Sequence, residues 1–296
     1  MHYCRYPKTI QFEITSNCNA ACLYCARQSP LLKPPKNVML DIKVFQDVID
    51  AESSSRLEKV EFNGSVDDPL MRPDLLTFLD LCLHKKIKKL SIHTNASLRT
   101  PKFWTKLAYR FPKEKGSFVK FNIDGLADTN HIYRVNTNFD KIMENAKAFL
   151  EAGGAGIWQF IEFDWNSHQI EEARELALSM GFEDFKVRKQ KPISKTLPID
   201  FNSEISCYYG IEKMYVVKFD GSVIPCCFFN MYHDKFPYFK GAWNNLYNNS
   251  FDDILAHKFY AEELTQLRPT IPRCVKHCSK HGTINSRLNK DRAVYD

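Results

Sequence analysis

Residues 9–28 read TIQFEITSNCNAACLYCARQ, and this stretch decides the fold. Thr9–Thr15 is β-prone, and directly after it Cys18, Cys22 and Cys25 fall in a C-x3-C-x2-C pattern. A lone buried cysteine often acts as a small hydrophobe, and Cys4 and Cys82 are read that way. Three cysteines among Asn17, Asn19, Ala20 and Ala21 do not look like core packing. Together they can hold three irons of a 4Fe–4S cluster, whereas ferredoxin-type carriers use four cysteines per cluster. The next cysteine, Cys82, lies far down the chain, so one iron is left without a protein ligand. Structural zinc is the rival, but it takes four ligands, commonly paired as C-x2–4-C.

The bulk composition sets the frame. The 296 residues are 44% hydrophobic, enough for one large α/β domain or a medium domain with a small one. No apolar run approaches a membrane span, and MHYCRYPKTIQFEI at the start has no apolar signal region. Ten cysteines without an export signal point to metal ligation in a reducing compartment, and the expected location is the cytoplasm. The net charge of +6 is mild. Lys85–Lys89 (KKIKK) suits the end of a helix, and no basic face with interleaved aromatics is legible, so nucleic acid is not an expected partner.

Strand-like and helix-like segments alternate through the first two thirds. The strands are predicted at Ile10–Thr15, Val60–Asn63, Leu90–Thr94, Phe118–Ile123, Ile157–Phe163 and Phe185–Arg188, each short and suited to burial on both faces. Helices are predicted at Asp41–Ala51, with Asp41 as cap, then Asp74–Leu83, Pro101–Tyr109, Phe139–Ala152 and His168–Met180. The last has Ser167 as N-cap and Gly181 past its end. Six alternations imply parallel strands with right-handed crossovers, in an α/β fold that can curl into a partial (β/α)6 barrel. In such sheets active sites lie at the C-terminal strand ends, where the cysteine loop falls.

Around Lys189–Glu204 the periodicity stops and two prolines mark a linker. Met214–Phe219 and Ser222–Ile224 flank Asp220-Gly221 as a hairpin. A helix over Ser250–Gln266 and a cysteine-bearing tail follow. The expected division is 1–188, a linker at 189–205, and a small C-terminal iron–sulfur extension at 206–296. In that extension Cys207 leads to Cys226 as C-x13-G-x4-C through Gly221, and Cys274 and Cys278 are spaced C-x3-C. The hairpin folds back, so four cysteines can converge on one metal centre, with zinc again the rival.

The triplet, with Tyr24 before its third cysteine, resembles the radical S-adenosylmethionine (SAM) superfamily. That resemblance implies a (β/α)6 partial barrel, a 4Fe–4S cluster, SAM as the ligand of the open iron, and an external electron donor such as flavodoxin or ferredoxin. The tail resembles the SPASM and twitch extensions of that superfamily. Having only CVKHC beyond the hairpin, it is closer to the one-cluster twitch form, with an auxiliary 4Fe–4S cluster on Cys207, Cys226, Cys274 and Cys278. Cys227 clouds the choice of ligand; Cys226 is preferred by its spacing from Gly221.

The resemblance also implies cosubstrate contacts. After the second strand comes NGSVDDPLMRPDL, where a GGE-P motif is usual; Asp68-Pro69 matches it, while Val66 and Asp67 stand where glycines are usual. Asp68 and the backbone of Asn63–Gly64 are the candidate contacts, against a plain aspartate–proline turn. Asn122 and Asp124 alternate with apolar residues, so both point to one face, where burial without a partner is costly. Thr94 and Asn95 end the third strand in a similar place. Arg134 matches an arginine that pairs the SAM carboxylate, with a surface salt bridge as the equal alternative. Glu162 and Asn166 are placed to face the same cavity.

The expected activity is reductive cleavage of SAM to a 5′-deoxyadenosyl radical, which takes a hydrogen atom from the substrate. The cofactor carries the hard step and the protein positions the substrate. An auxiliary cluster with four protein ligands suits acceptance of a second electron, hence a net oxidation. Only residues 1–17 precede Cys18, which favours a small-molecule substrate over a leader-gripping peptide maturase; peptide and protein substrates stay open. A non-catalytic iron–sulfur or zinc protein is the reading from another class.

Overall fold

The computed structural model describes residues 5–28, 34–112, 114–190, 202, 204–231 and 242–279. Cys4, most of the expected linker and most of the basic C-terminal stretch lie outside them. Eight strands among the described residues form one sheet in the order β6-β5-β4-β3-β2-β1-β7-β8. The six expected strands are β1 (Thr9–Phe12), β2 (Lys59–Phe62), β3 (Lys89–Thr94), β4 (Phe118–Asn122), β5 (Gly156–Glu162) and β6 (Asp184–Lys189). All pair in parallel. Between them run α1 (Ile42–Asp50), α2 (Leu75–His84), α3 (Pro101–Ala108), the one-turn α4 (Asn130–Tyr133), α5 (Phe139–Glu151) and α6 (Ile170–Ser179). This is the α/β partial-barrel topology, with β6 open at one edge.

Burial on both faces, as the composition suggested, holds in β1 but not in β2, β4, β5 and β6. Ile10, Phe12, Val60, Phe62, Leu90, Ile92, Val119, Phe121, Trp158 and Phe160 point outward and pack under the helices, against Phe45, Phe78, Trp104 and Phe149. The intervening positions, including Lys59, Glu61, His93, Lys120, Asn122, Gln159 and Lys186, point inward and are only half-buried. Period-two alternation therefore gives an apolar shell and a polar, open inner face.

Two local expectations are corrected. Asp41 does cap α1, accepting from the Lys43 N–H at 2.7 Å, but Ser167 does not cap α6. It opens a short turn over Ser167–Gln169, and its hydroxyl reaches only the Asp164 carbonyl at 3.5 Å. The helix expected over Ser250–Gln266 is broken into α8 (Phe251–Ala256), a wide turn over Phe259–Glu263 and α9 (Leu264–Leu267). Its apolar phase slips at Phe259 and Tyr260, both buried, and the break lets Trp243 stack on His257 at 3.8 Å.

The C-terminal region joins the same sheet. After α7 (Tyr208–Ile211), β7 (Met214–Val217) pairs in parallel with β1, and β8 (Val223–Ile224) returns antiparallel. Gly221 (φ +80°) supplies the turn, in a backbone region that suits glycine. The final described helix is α10 (Pro272–Cys278). Lys189 belongs to β6, opposite Glu162, rather than to a linker.

Candidate functional site

The cysteine loop leaves the C-terminal end of β1 and is fastened on several sides. The Ser16 N–H donates to the Val38 carbonyl at 2.8 Å, the Asp68 N–H to the Asn17 carbonyl at 2.9 Å, and the Ala21 N–H to the Val135 carbonyl at 2.9 Å. Arg27 donates to the carbonyls of Ser16 and Val66. Cys22 is buried, Cys18 and Cys25 partly so. Asn95 Nδ2 is 4.0 Å from the Cys18 sulfur and Arg134 Nη1 is 3.7 Å from the Cys22 sulfur. Burial, with Asp68 adding to it, pushes the Cys18 thiol up to about 12, and burial raises Cys22 against the pull of Arg134. Without an electrophilic centre these thiols stay protonated; a bound metal would offset that cost.

This donor set fits an iron–sulfur cluster. Three sulfurs sit on one tight loop, and N–H donors aim at two of them, the kind of outer contact that tunes cluster potentials. Tyr24, about half exposed, lies 6.2 Å from the Tyr133 ring and 6.1 Å from Phe163. Phe163 in turn stacks on Trp165 at 4.5 Å, so an aromatic wall borders the loop.

Asp68 is brought to the site but is already engaged. Its carboxylate accepts from the Leu70 N–H at 3.0 Å, from the Thr94 hydroxyl at 2.9 Å to either oxygen, and from the Asn95 N–H at 2.8 Å. It thus locks the turn after β2 to the end of β3. Asn95 then links to Asn19 at 2.9 Å, and Asn19 to Ser97 at 2.9 Å. Asn19 and Ser97 were missed in the sequence; the N-A-S run at 95–97, an Asx-turn former, is the signal that could have found them. Asn63 borders the inner face, where its carbonyl accepts from Gln11 at 2.5 Å. Gly64 serves a neighbour: a Cβ there would fall 0.9 Å from Asp67 Oδ1. The missing side chain admits the Asp67 carboxylate, buried near the Asp67 and Thr15 N–H groups but, among the described residues, without a well-formed hydrogen bond. Burial, then Glu13 and Asp68, hold the Asp67 carboxyl well above its ordinary range.

Asn122 faces inward and accepts from Gln159 at 3.2 Å. Asp124 does not share that opening: β4 ends at Asn122, and the Asp124 side chain is fully buried. Its oxygens accept from Arg134 Nε at 2.6 Å and the Ile161 N–H at 2.5 Å. The surface salt bridge considered for Arg134 is therefore a buried one. Burial opposes the guanidinium charge, but Asp124 and Cys22 hold its pKa above the ordinary value. Asn166 also turns inside the loop, donating to the Asp124 carbonyl at 2.9 Å. Glu162 lies at the β5 end, 3.9 Å from Lys189.

The second cysteine group converges from α7, β8 and α10. Cys207, Cys226 and Cys278 are buried and Cys274 is half-buried. Cys278 is raised first by its contact with Cys207, then by burial, with Cys226 and Cys274 adding to it. The Ser206 N–H donates to the Cys278 carbonyl at 2.7 Å, closing α10 onto the segment before α7. Cys227 faces Tyr209, whose hydroxyl donates to its sulfur at 3.0 Å. The four thiols interact electrostatically with one another and three of them are buried. They fit a cluster with its own sulfurs between them, since no group among the described residues is drawn in around a single metal ion.

Comparison with known proteins agrees with this geometry. The radical SAM superfamily model matches residues 12–161, and the SPASM iron–sulfur cluster-binding domain model matches residues 207–280. GTP 3′,8-cyclase of Desulforamulus reducens is 25% identical over 126 residues, 42% of this chain and 37% of that protein. Mycofactocin maturase MftC of Mycobacterium tuberculosis is 27% identical over 154 residues, 51% of this chain and 36% of that protein. The chain thus spans little more than a third of these two relatives. A tungsten-containing aldehyde ferredoxin oxidoreductase cofactor-modifying protein of Pyrococcus furiosus is 23% identical, covering 88% of this chain and 83% of that one. Among solved structures, Streptococcus suis SuiB bound to precursor peptide SuiA superposes with a TM-score of 0.66 at 16% identity, over 90% of this chain and 67% of that one. No helix among the described residues is long and apolar enough to cross a membrane. The chain belongs to the radical SAM superfamily and carries a SPASM-type C-terminal domain, with the 4Fe–4S cluster, SAM and auxiliary iron–sulfur chemistry that this membership brings.

Proposed function

We propose that this radical SAM enzyme modifies a peptide or protein segment by a net oxidation. The observation that carries this reading is the three-cysteine loop at the end of β1, beside an open polar face, with the four-cysteine group fixed to the same sheet through β7 and β8. Cys18, Cys22 and Cys25 would hold the SAM-binding cluster, with Asn95 and Arg134 donating to its sulfurs. Cys207, Cys226, Cys274 and Cys278 would hold the auxiliary one. When bound, the first cluster supplies the electron that cleaves SAM reductively. Tyr24 would border the cosubstrate, Asp68 and Thr94 position Asn95, and Asn63 and Asn122 would line the face that receives substrate. An external donor such as flavodoxin or ferredoxin would recharge the site.

The peptide reading replaces the small-molecule expectation because of the relatives: MftC is named a maturase, and SuiB is solved with a precursor peptide. A small-molecule substrate is the second reading, favoured by the match to the P. furiosus cofactor-modifying protein over most of both chains. The test is incubation of anaerobically reconstituted protein with dithionite, SAM and peptides encoded by neighbouring open reading frames. A peptide-dependent rise in 5′-deoxyadenosine with a mass change in that peptide supports the proposal. Turnover of a small metabolite instead moves the assignment to the second reading, and no 5′-deoxyadenosine at all sinks both.

A further inference from the structure

The inner face of the sheet gathers more cations than the cofactor site uses. Strand parity and register place them there. His93 lies opposite Lys120, Gln159 opposite Lys186 and Ile161 opposite Arg188, and Lys59 shares the face from β2. Glu61 lies 2.5 Å from Lys59 and Asp184 3.2 Å from Lys186, and the register runs from Lys120 through Ile157 to Asp184. Among the described residues Lys120 has no carboxylate within ion-pair distance. Its ammonium lies 5.7 Å from the Phe118 ring centroid and that of Lys59 lies 5.4 Å from the same ring, on which His93 stacks at 6.2 Å. Burial, then Arg188, Lys186 and Lys59, lower Lys120 to about 8 against support from Glu61. Burial, then Lys120, Lys59 and Arg188, push His93 well below its ordinary value.

Half-buried like charges cost stability, and Glu61, already paired with Lys59, offsets only part of that cost at Lys120. An anion would offset the rest. We propose that Lys120 and Lys59, whose ammonium groups share the Phe118 ring, form a subsite for an anionic group of the substrate, a carboxylate or a phosphate. Lys120 sits two residues before Asn122 on β4, roughly 7 Å deeper along the strand. An anion held there leaves the rest of the substrate toward the cysteine loop. The assignment rests on the enzymatic reading above for its purpose, but not for its measurement.

The experiment is calorimetric titration of the reconstituted full chain, without reductant, using inorganic phosphate and using the capped dipeptides acetyl-Glu-Glu-amide and acetyl-Gln-Gln-amide. Phosphate or the Glu peptide should bind at least about tenfold more tightly than the Gln peptide. Lys120→Met should lower that affinity about tenfold while the melting temperature holds or rises, and Lys120→Arg should restore it. Binding near pH 8 should take up protons, because an anion favours charged Lys120, and affinity should fall as pH rises through that value. Preference for phosphate assigns a phosphorylated substrate, and preference for the Glu peptide an acidic peptide. Equal binding of the Gln peptide, or affinity indifferent to both Lys120→Met and Lys59→Met, overturns the subsite. Absence of 5′-deoxyadenosine formation with anion binding intact would overturn the enzymatic reading and leave the subsite standing.

Discussion

Arg134 stands 2.6 Å from the Asp124 carboxylate through Nε and 3.7 Å from the Cys22 sulfur through Nη1. One buried guanidinium thus joins the end of β4 to the cluster loop. Removing one partner of such a pair strands the other charge, at a cost of about 3–5 kcal/mol. Asp124→Ala should destabilise the reconstituted protein by that order in chemical denaturation. The double variant with Arg134→Met should recover much of it, whereas additive losses would show that the two do not act as a pair.

Asp68 tests whether the turn after β2 binds the cosubstrate or positions what does. Asp68→Ala leaves the Leu70 and Asn95 N–H groups and the Thr94 hydroxyl without their acceptor, a loss of about 2–4 kcal/mol. Stability and SAM affinity should fall together as Asn95 is released. Asp68→Asn keeps an acceptor and should hold affinity within a few fold. A large affinity loss in Asp68→Asn at unchanged melting temperature would mean that the charge itself touches SAM.

For the two cysteine groups, Cys18, Cys22 and Cys25 replaced together by alanine should remove about four irons per chain and leave the tail cluster in place. Cys226→Ser should lose the tail cluster, while Cys227→Ser should keep it and alter the Tyr209 contact. Iron analysis with electron paramagnetic resonance reads both; retained tail iron in Cys226→Ser would reverse the assignment.

Asp67 gives the pH dependence. Its carboxyl is raised above the ordinary 3.8, chiefly by burial and then by Glu13 and Asp68. The folded state therefore binds its proton more tightly than the unfolded one. That contribution is full below the ordinary value and is lost as pH rises through the folded one. Asp67→Asn should stabilise the protein near neutrality by about 1–3 kcal/mol and flatten the profile above mildly acidic pH. An unchanged slope would exclude Asp67 as its source.

Much of this was legible because period-two and helical alternation are local. The six parallel strands fall within a few residues of their expected places, and the cysteine spacing named both clusters. The inner face was misjudged because Lys59, His93 and Lys120 were overshadowed by the aromatic and β-branched residues between them. The pairing of β7 with β1 was not legible, since nothing near Met214 encodes a register with Thr9. Nor was the enclosure of Asp124, whose partners Arg134 and Ile161 come from other elements. At Ser167 and in the stretch beyond Ser250, tertiary packing overrode a sound local signal.

The parallel pairing of β1 with β7 sets an order of events during synthesis. Thr9 meets Met214 across most of the chain, and such distant contacts slow folding because loop closure must come first. At roughly 5–20 residues per second on the ribosome, one edge of the nascent first strand waits about 10–40 s for its neighbour. An unpaired strand edge is a template for wrong partners. The cysteine loop hangs from that waiting strand, whose end is fixed only when the Glu13 N–H meets the Val217 carbonyl at 2.8 Å, so the loop reaches its final place late.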